Sequence, residues 1–163
     1  MKIKVIDNLR EDTKPLGDSE ASKVAALIRQ NTQDVHQGEY CAEDLENLVA
    51  FATPEKIQEE VNRGYLAMLF NEEEDLIGCA LVVRKGMKLV INTLQVKRIY
   101  SRKGYGSLLY EQCENLFKHM GIHEMEVEVP KFPSSEAFYQ SCGFVKTGNP
   151  TQKDLRFAMF KYI

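Results

Sequence analysis

Four basic residues and two glycines crowd one short stretch of the chain. From Leu94 to Met120 it reads LQVKRIYSRKGYGSLLYEQCENLFKHM. An apolar run ending at Val96 enters Lys97, Arg98, Arg102 and Lys103, then Gly104-Tyr105-Gly106, then an amphipathic helix. Glycines let the backbone turn tightly and let a ligand approach the main chain. A helix starting there offers N–H groups without intrahelical partners and the positive end of its dipole. The combination makes an anion site, and phosphate is the usual anion. The same residues also describe a solvated loop closed by glycines, and a lone Gly-x-Gly does not choose between the two. Two fuller phosphate motifs are excluded. Leu109 stands where a Rossmann fingerprint needs its third glycine, and Gly106-Ser107 lacks the lysine of a Walker loop.

Other chemistry-bearing residues are scattered. Glu124, Glu126 and Glu128 alternate with Met125, Val127 and Val129, which puts three carboxylates on one face of a strand. Glu126 and Glu128 are candidates for accepting a proton or, equally, part of a row facing solvent. Cys41, Cys79, Cys113 and Cys142 are widely spaced with no Cys-x-x-Cys, so they read as reduced thiols, mostly buried or half-buried, and not as a zinc site. His119 and His123 have a metal-like spacing, but Gly121 between them ends the helix, and a helix-end histidine favoured by the dipole is the simpler account. No metal is expected.

The elements that must position these groups follow from pattern. Lys2 to Ile6 alternates as a first strand. Asp18 caps a helix carrying Ala21, Val24, Ala25 and Ile28 on one side. Leu45, Leu48, Val49 and Ala52 repeat that spacing on a second helix, and Thr53-Pro54 starts a third, ended by Gly64. Tyr65 to Phe70, Leu76 to Arg84 and Met87 to Val96 are three antiparallel strands, the first two joined by an exposed acidic hairpin loop at Asn71 to Asp75. A helix over Ser107 to Met120, a strand through Met125 to Val129, a short helix over Ser135 to Cys142 and a final hairpin of Phe144 to Thr147 with Leu155 to Tyr162 complete the order. The reading is an α/β (α+β) fold: a mixed, mostly antiparallel central sheet with helices on both faces.

Bulk properties bound the function. The 163 residues fit one domain spanning the chain, with 44% apolar and 28% charged residues, as in a globular protein. No apolar run approaches the ~20 residues that span a membrane. The charged N-terminal segment is not a signal peptide, so a cytoplasmic location is expected. A net charge of −3 argues against nucleic acid as a partner and makes the basic stretch at 97–103 a local feature.

Two motifs in this order of elements carry a family resemblance. Ser101-Arg102-Lys103-Gly104-Tyr105-Gly106 follows the strand ending at Val96, and Phe138-Tyr139-Gln140-Ser141-Cys142-Gly143-Phe144 comes later. Together they resemble the GNAT family of acyl-CoA-dependent N-acetyltransferases, over nearly the whole chain. The first corresponds to the family's pyrophosphate loop, Arg/Gln-x-x-Gly-x-Gly/Ala, with Ser101 at its first position and Arg102 next door to supply charge. The second matches Phe-Tyr-x-x-x-Gly-Phe. The chain departs from the family elsewhere: Arg98 replaces a common proline, and Phe132 to Ser135 contains no asparagine.

The resemblance implies acetyl-CoA as co-substrate, lying where the fourth and fifth strands splay apart. Backbone groups of Gln95, Val96 and Lys97 would pair with the pantetheine arm, and Ser101, Arg102, Lys103, Gly104, Tyr105, Gly106 and Ser107 would hold the diphosphate. The amine acceptor, a small molecule or a protein amine, would attack the thioester directly. The Val96 N–H would steady the oxyanion, and Tyr139, at the family's general-acid position, would assist the leaving thiolate. The glutamate that some members carry on the fourth strand falls near Asn92, so Glu126 or Glu128 is the candidate base, directly or through water. The altered residues Ser101 and Asn92 equally suit a CoA-binding or regulatory module without turnover. A homodimer is compatible with either. Glu39, Glu43, Asp44 and Glu46 crowd the start of the second helix; with the strand glutamates they would favour a cationic acceptor, or set no preference if solvated.

Overall fold

The computed structural model describes every residue except 11–13, 37, 39, 132 and 152–154. In chain order the elements are β1 (Lys2–Asp7), α1 (Asp18–His36), α2 (Ala42–Leu48), α3 (Pro54–Asn62), β2 (Tyr65–Phe70), β3 (Leu76–Lys85) and β4 (Lys88–Val96). There follow a 3-10 turn at Arg98–Tyr100, α4 (Tyr105–His119), β5 (Glu124–Pro130), α5 (Pro133–Ser141), β6 (Val145–Thr151) and β7 (Arg156–Tyr162). One seven-stranded sheet runs β1-β2-β3-β4-β5-β7-β6. Every neighbouring pair is antiparallel except β4 with β5, which is parallel. The mixed, mostly antiparallel sheet expected from the pattern is present.

Helices cover both faces because β2 and β3 are apolar on both. On one face Ala67, Leu69, Ile77, Ile91 and Val127 pack with Leu109, Cys113 and Phe117 of α4. On the other, Leu66, Met68, Cys79 and Leu81 pack with Val24 and Ile28 of α1 and Ile57 and Val61 of α3. Neighbouring residues such as Leu66 and Ala67 serve opposite cores, as the two-residue period of a strand requires. The Thr53 side chain accepts the Lys56 N–H at 3.2 Å and caps α3, with Pro54 in the first turn. Asn71 to Asp75 is the expected tight connection, closed by the Asn71 N–H to the Asp75 carbonyl at 3.0 Å.

One expectation needs correction. The second helix was expected to carry Val49 and Ala52, yet α2 ends at Leu48. Its last carbonyl accepts a hydrogen bond at 2.7 Å from Arg156, more than a hundred positions away in sequence. Val49 and Ala52 still reach the core from the following turn. Pro54 disfavours helix at the residue before it, so the helix could not have run on into α3. The final hairpin forms, but β7 lies between β5 and β6, which places Arg156 next to Pro130 in register. His119 and His123 do not form a pair on one helix face. His119 lies in the last turn of α4 with Nδ1 2.7 Å from the Asn115 carbonyl oxygen, and Gly121 adopts φ 70° beyond it.

Candidate active site

The site begins where two strands part. β4 and β5 pair only at Val90–Glu126 and Ile91–Val127. At the same level β4 carries a bulge against β3: Ile91 pairs with Val82 and Thr93 with Leu81, leaving Asn92 as the extra residue. A bulge bends its strand and raises its twist, and here it marks the point at which β4 leaves β5. The gap opens into a cavity of about 410 Å³, lined by Asn92 to Val96 of β4, Glu128 and Pro130 of β5, Phe138 and Tyr139 of α5, the end of α1, and the loop before α4.

The backbone of β4 is divided between its two edges. Lys97 N–H donates to the Ile77 carbonyl at 2.8 Å. In an antiparallel ladder alternate residues point their N–H and C=O groups the same way, so Gln95 and Lys97 turn theirs to β3, while Leu94 and Val96 turn theirs into the gap. Of Gln95, Val96 and Lys97, only Val96 therefore offers its main chain to a ligand there. The Gln95 side chain is held by Asn31, Thr32 and Thr93 at 3.2, 3.3 and 3.1 Å. The Asn31 carboxamide oxygen also accepts the Arg98 N–H at 3.0 Å. These bonds fasten α1 across the end of β4.

The loop that follows is built for an anion. Arg102 and Gly104 both take positive φ, 60° and 85°. Only glycine adopts that conformation without cost, which accounts for Gly104 as the N-cap of α4. The first hydrogen bond of α4 runs from Leu108 N–H to the Gly104 carbonyl, so the N–H groups of Tyr105, Gly106 and Ser107 have no intrahelical acceptor. Gly106 is glycine for a different reason: a Cβ there would lie 3.2 Å from the Phe138 ring. Ser101, Arg102, Gly104, Gly106 and Ser107 line the cavity. Lys97, Lys103 and Tyr105 do not. Lys103 lies over the Tyr100 ring at 5.8 Å, and Tyr105 packs edge-on against that ring at 6.4 Å.

Tyr139 and Glu128 stand across the gap. Tyr139 is buried, its ring 5.1 Å from Phe138 and 5.7 Å from Phe144. No hydrogen bond among the described residues engages its hydroxyl. Burial pushes its phenol well above the ordinary value, only partly offset by the positive charge of Arg156. Glu128 is buried, with one oxygen bonded to Lys85 and the other 3.7 Å from Arg156 Nη1. Glu126 does not line the cavity. It pairs with Val90 at the closed end of the gap, so of the two candidate glutamates only Glu128 lines the cavity. The expected wall of carboxylates is not built either: Glu124, Glu43 and Asp44 are solvent-exposed or half-exposed and away from the cavity, Glu46 binds Arg29 at 2.9 Å, and Glu39 lies outside the described residues. Strand alternation correctly put the three glutamates on one face, but only the third reaches the opening.

Two cavity residues stand in no sequence motif. His36, the last residue of α1, is 6% exposed, and burial lowers its imidazole to about 4, which keeps it neutral near pH 7. Arg156 opens the otherwise apolar strand Arg156-Phe157-Ala158-Met159 and is 4% exposed. Burial pulls its guanidinium below the ordinary arginine value, against the opposing pull of Glu128. A charged residue heading an apolar strand was the available signal.

Comparison with known proteins agrees with this geometry. The profile of the Acetyltransferase (GNAT) domain family matches residues 36–161. No curated protein matches the chain in sequence. Among solved structures, PaiA N-acetyltransferase from Thermoplasma acidophilum in complex with coenzyme A superposes over the whole of both chains, with TM-score 0.79 and 21% identity. An acetyltransferase of the GNAT family from Staphylococcus aureus Mu50 superposes over 99% of both chains with TM-score 0.71 and 16% identity. Aminoglycoside 6'-acetyltransferase type Ii follows with TM-score 0.68 and 14% identity, over 99% of this chain and 97% of that one.

Proposed function

The chain belongs to the GNAT acetyltransferase family, and we propose that it passes the acetyl group of acetyl-CoA directly to a primary amine, free or on a protein. Acyl transfer from acetyl-CoA follows from the family; the acceptor and the residue roles are our reading. The observation that carries it is the β4–β5 gap, which joins the start of α4, Val96, Tyr139 and Glu128 in one cavity.

In this reading the N–H groups of Tyr105, Gly106 and Ser107 hold the diphosphate, with Arg102 and Ser101 beside them. Lys97 and Lys103 contribute only long-range charge. The Val96 N–H, turned into the gap, donates to the thioester oxygen as negative charge develops there. Glu128 takes the proton released by the ammonium group, directly or through a water, so that a neutral amine attacks. The Tyr139 hydroxyl donates to the departing sulfur. A thiol near pKa ~8.5 is a weaker base than a phenolate near ~10, and burial widens that difference. Tyr139 therefore steadies the thiolate by a hydrogen bond, and the proton stays largely on the phenol. Among the described residues no helix is long and apolar enough to cross a membrane, and we place the activity in the cytoplasm.

Direct transfer is tested with acetyl-labelled acetyl-CoA and a panel of primary amines, separating protein from small products after brief incubation. Label should appear on the amine nitrogen and not on the protein. Labelled protein that chases into product would contradict direct attack.

A further inference from the structure

Arg156 is a buried cation with more donor capacity than its surroundings use. Nη2 donates to the Leu48 carbonyl at 2.7 Å and Nη1 to the Asn92 carbonyl at 3.4 Å. The guanidinium carbon lies over the Phe51 ring at 5.3 Å. Nε has no hydrogen-bond partner among the described residues. Both carbonyl acceptors are neutral, and neither cancels the charge. The nearest carboxylate, Glu128, is 3.7 Å from Nη1, beyond hydrogen-bonding distance, and its other oxygen is bonded to Lys85. Glu128 is thus shared between the buried Arg156 and the half-exposed Lys85, and it makes no hydrogen bond to the guanidinium. Burying a charge is costly unless it is paired and hydrogen-bonded. Arg156 lines the cavity with one donor, Nε, unused and no carboxylate in hydrogen-bonding reach among the described residues.

We propose that Arg156 binds a carboxylate of the acceptor, so that the amine acetylated here belongs to a molecule of the amino-acid class. The inference rests on the acetyltransferase reading and names the substrate of that same cavity. Position supports it. Arg156 meets β4 at Asn92, at the closed end of the gap, whereas the phosphate loop follows Val96. Four strand residues separate the two, about 13 Å at ~3.3 Å each, so Arg156 is placed for the acceptor and not for the diphosphate. Shape supports it too: a planar guanidinium fork matches a carboxylate. Charge selects between anions. A carboxylate adds a single negative charge beside Glu128, while a phosphate dianion would add two against the same arginine. The neighbouring Glu128 then faces the ammonium end of the same molecule before it loses its proton.

The test compares three acceptors of nearly one size with the purified full chain and acetyl-CoA: alanine, alaninamide and ethylamine, with spermidine as a cationic control. Release of CoA thiol gives kcat/KM for each. Alanine should exceed alaninamide by about tenfold to a hundredfold, the usual worth of a charge-assisted hydrogen bond. In Arg156→Gln that ratio should fall to near one, with Arg156→Lys between. The wild-type comparison needs no variant and stands even if Arg156→Gln fails to fold. Equal or better turnover of alaninamide or spermidine by the wild type would overturn the carboxylate assignment while leaving acetyl transfer intact. An equal loss for alanine and alaninamide in a folded Arg156→Gln protein would also overturn it, leaving Arg156 as a support for α2. If neither these amines nor a lysine-bearing peptide is turned over while CoA still binds, the acetyltransferase reading itself fails, and this inference with it; turnover of the peptide alone would overturn only this inference.

Discussion

A phenol kept protonated by burial gives a hydrogen bond more readily than it gives a proton, and Tyr139 is such a phenol with its hydroxyl unengaged among the described residues. Removing that hydroxyl leaves the ring packing against Phe138 and Phe144 in place. Tyr139→Phe should therefore lower kcat by roughly tenfold to a thousandfold with acetyl-CoA affinity nearly unchanged; steady-state kinetics on both proteins decides it, and equal kcat with chemistry rate-limiting would return Tyr139 to packing alone. Tyr139 was legible because it stands inside a motif. Arg156 and His36 were not, because each acquires its meaning from partners distant in sequence: Leu48 and Asn92 for Arg156, and the walls of the cavity for His36. That Glu128 and not Glu126 lines the cavity was also out of reach. Alternation fixes a face, but the level at which β4 and β5 part depends on the bulge at Asn92, and no residue type there announces it.

Among the elements, α4 and α1 make separable predictions. If the start of α4 binds the diphosphate through its main chain, side chains matter less than backbone access. Gly104→Val forces a β-branched residue into φ 85°, and Gly106→Val pushes a side chain toward the Phe138 ring. Both should weaken CoA binding in calorimetric titration more than Arg102→Ala does; undiminished affinity in a folded Gly106→Val protein would remove the phosphate-loop assignment. On another wall of the cavity, α1 terminates in His36. Its folded-state value of about 4 lies below the ordinary 6.5, so the unfolded chain takes up the proton first as pH falls. This contribution to stability is complete above pH 6.5 and declines as pH falls from 6.5 toward 4. Denaturant midpoints across that window should drop for the wild type and drop less for His36→Gln; parallel curves would contradict the burial argument. The type and order of the elements were legible from apolar spacing and caps. The end of α2 was not, since the apolar spacing runs on through Val49 and Ala52 into the following turn, and neither was the insertion of β7, since strand order depends on contacts and not on spacing.

Across the whole molecule, two apolar cores hold a sheet that is continuous except along one seam. The fold leaves β4 and β5 unpaired for most of their length, and it forgoes those ladder hydrogen bonds where a ligand is to supply them. Binding in the seam should stabilise the native state by mass action. At a hundredfold excess over Kd, CoA contributes about 2.7 kcal/mol, which for a chain of this size raises Tm by roughly 5–10 °C. Thermal unfolding with and without CoA measures it, and an unmoved Tm at saturation would show that the folded protein has no such site. The net charge of −3 gave no view of the cavity: its acids are mostly outside, and the buried charges there are the single pair Arg156 and Glu128.

Amine-dependent release of CoA is the most direct measure of the central claim. The purified chain is mixed with acetyl-CoA, and free thiol is followed with and without a panel of primary amines that includes alanine, alaninamide and spermidine. The account predicts slow release without amine, faster release with at least one of them, and one N-acetylated product for each CoA freed. Tight binding of CoA with no amine-dependent release across the panel would contradict it and leave a CoA-binding module without turnover.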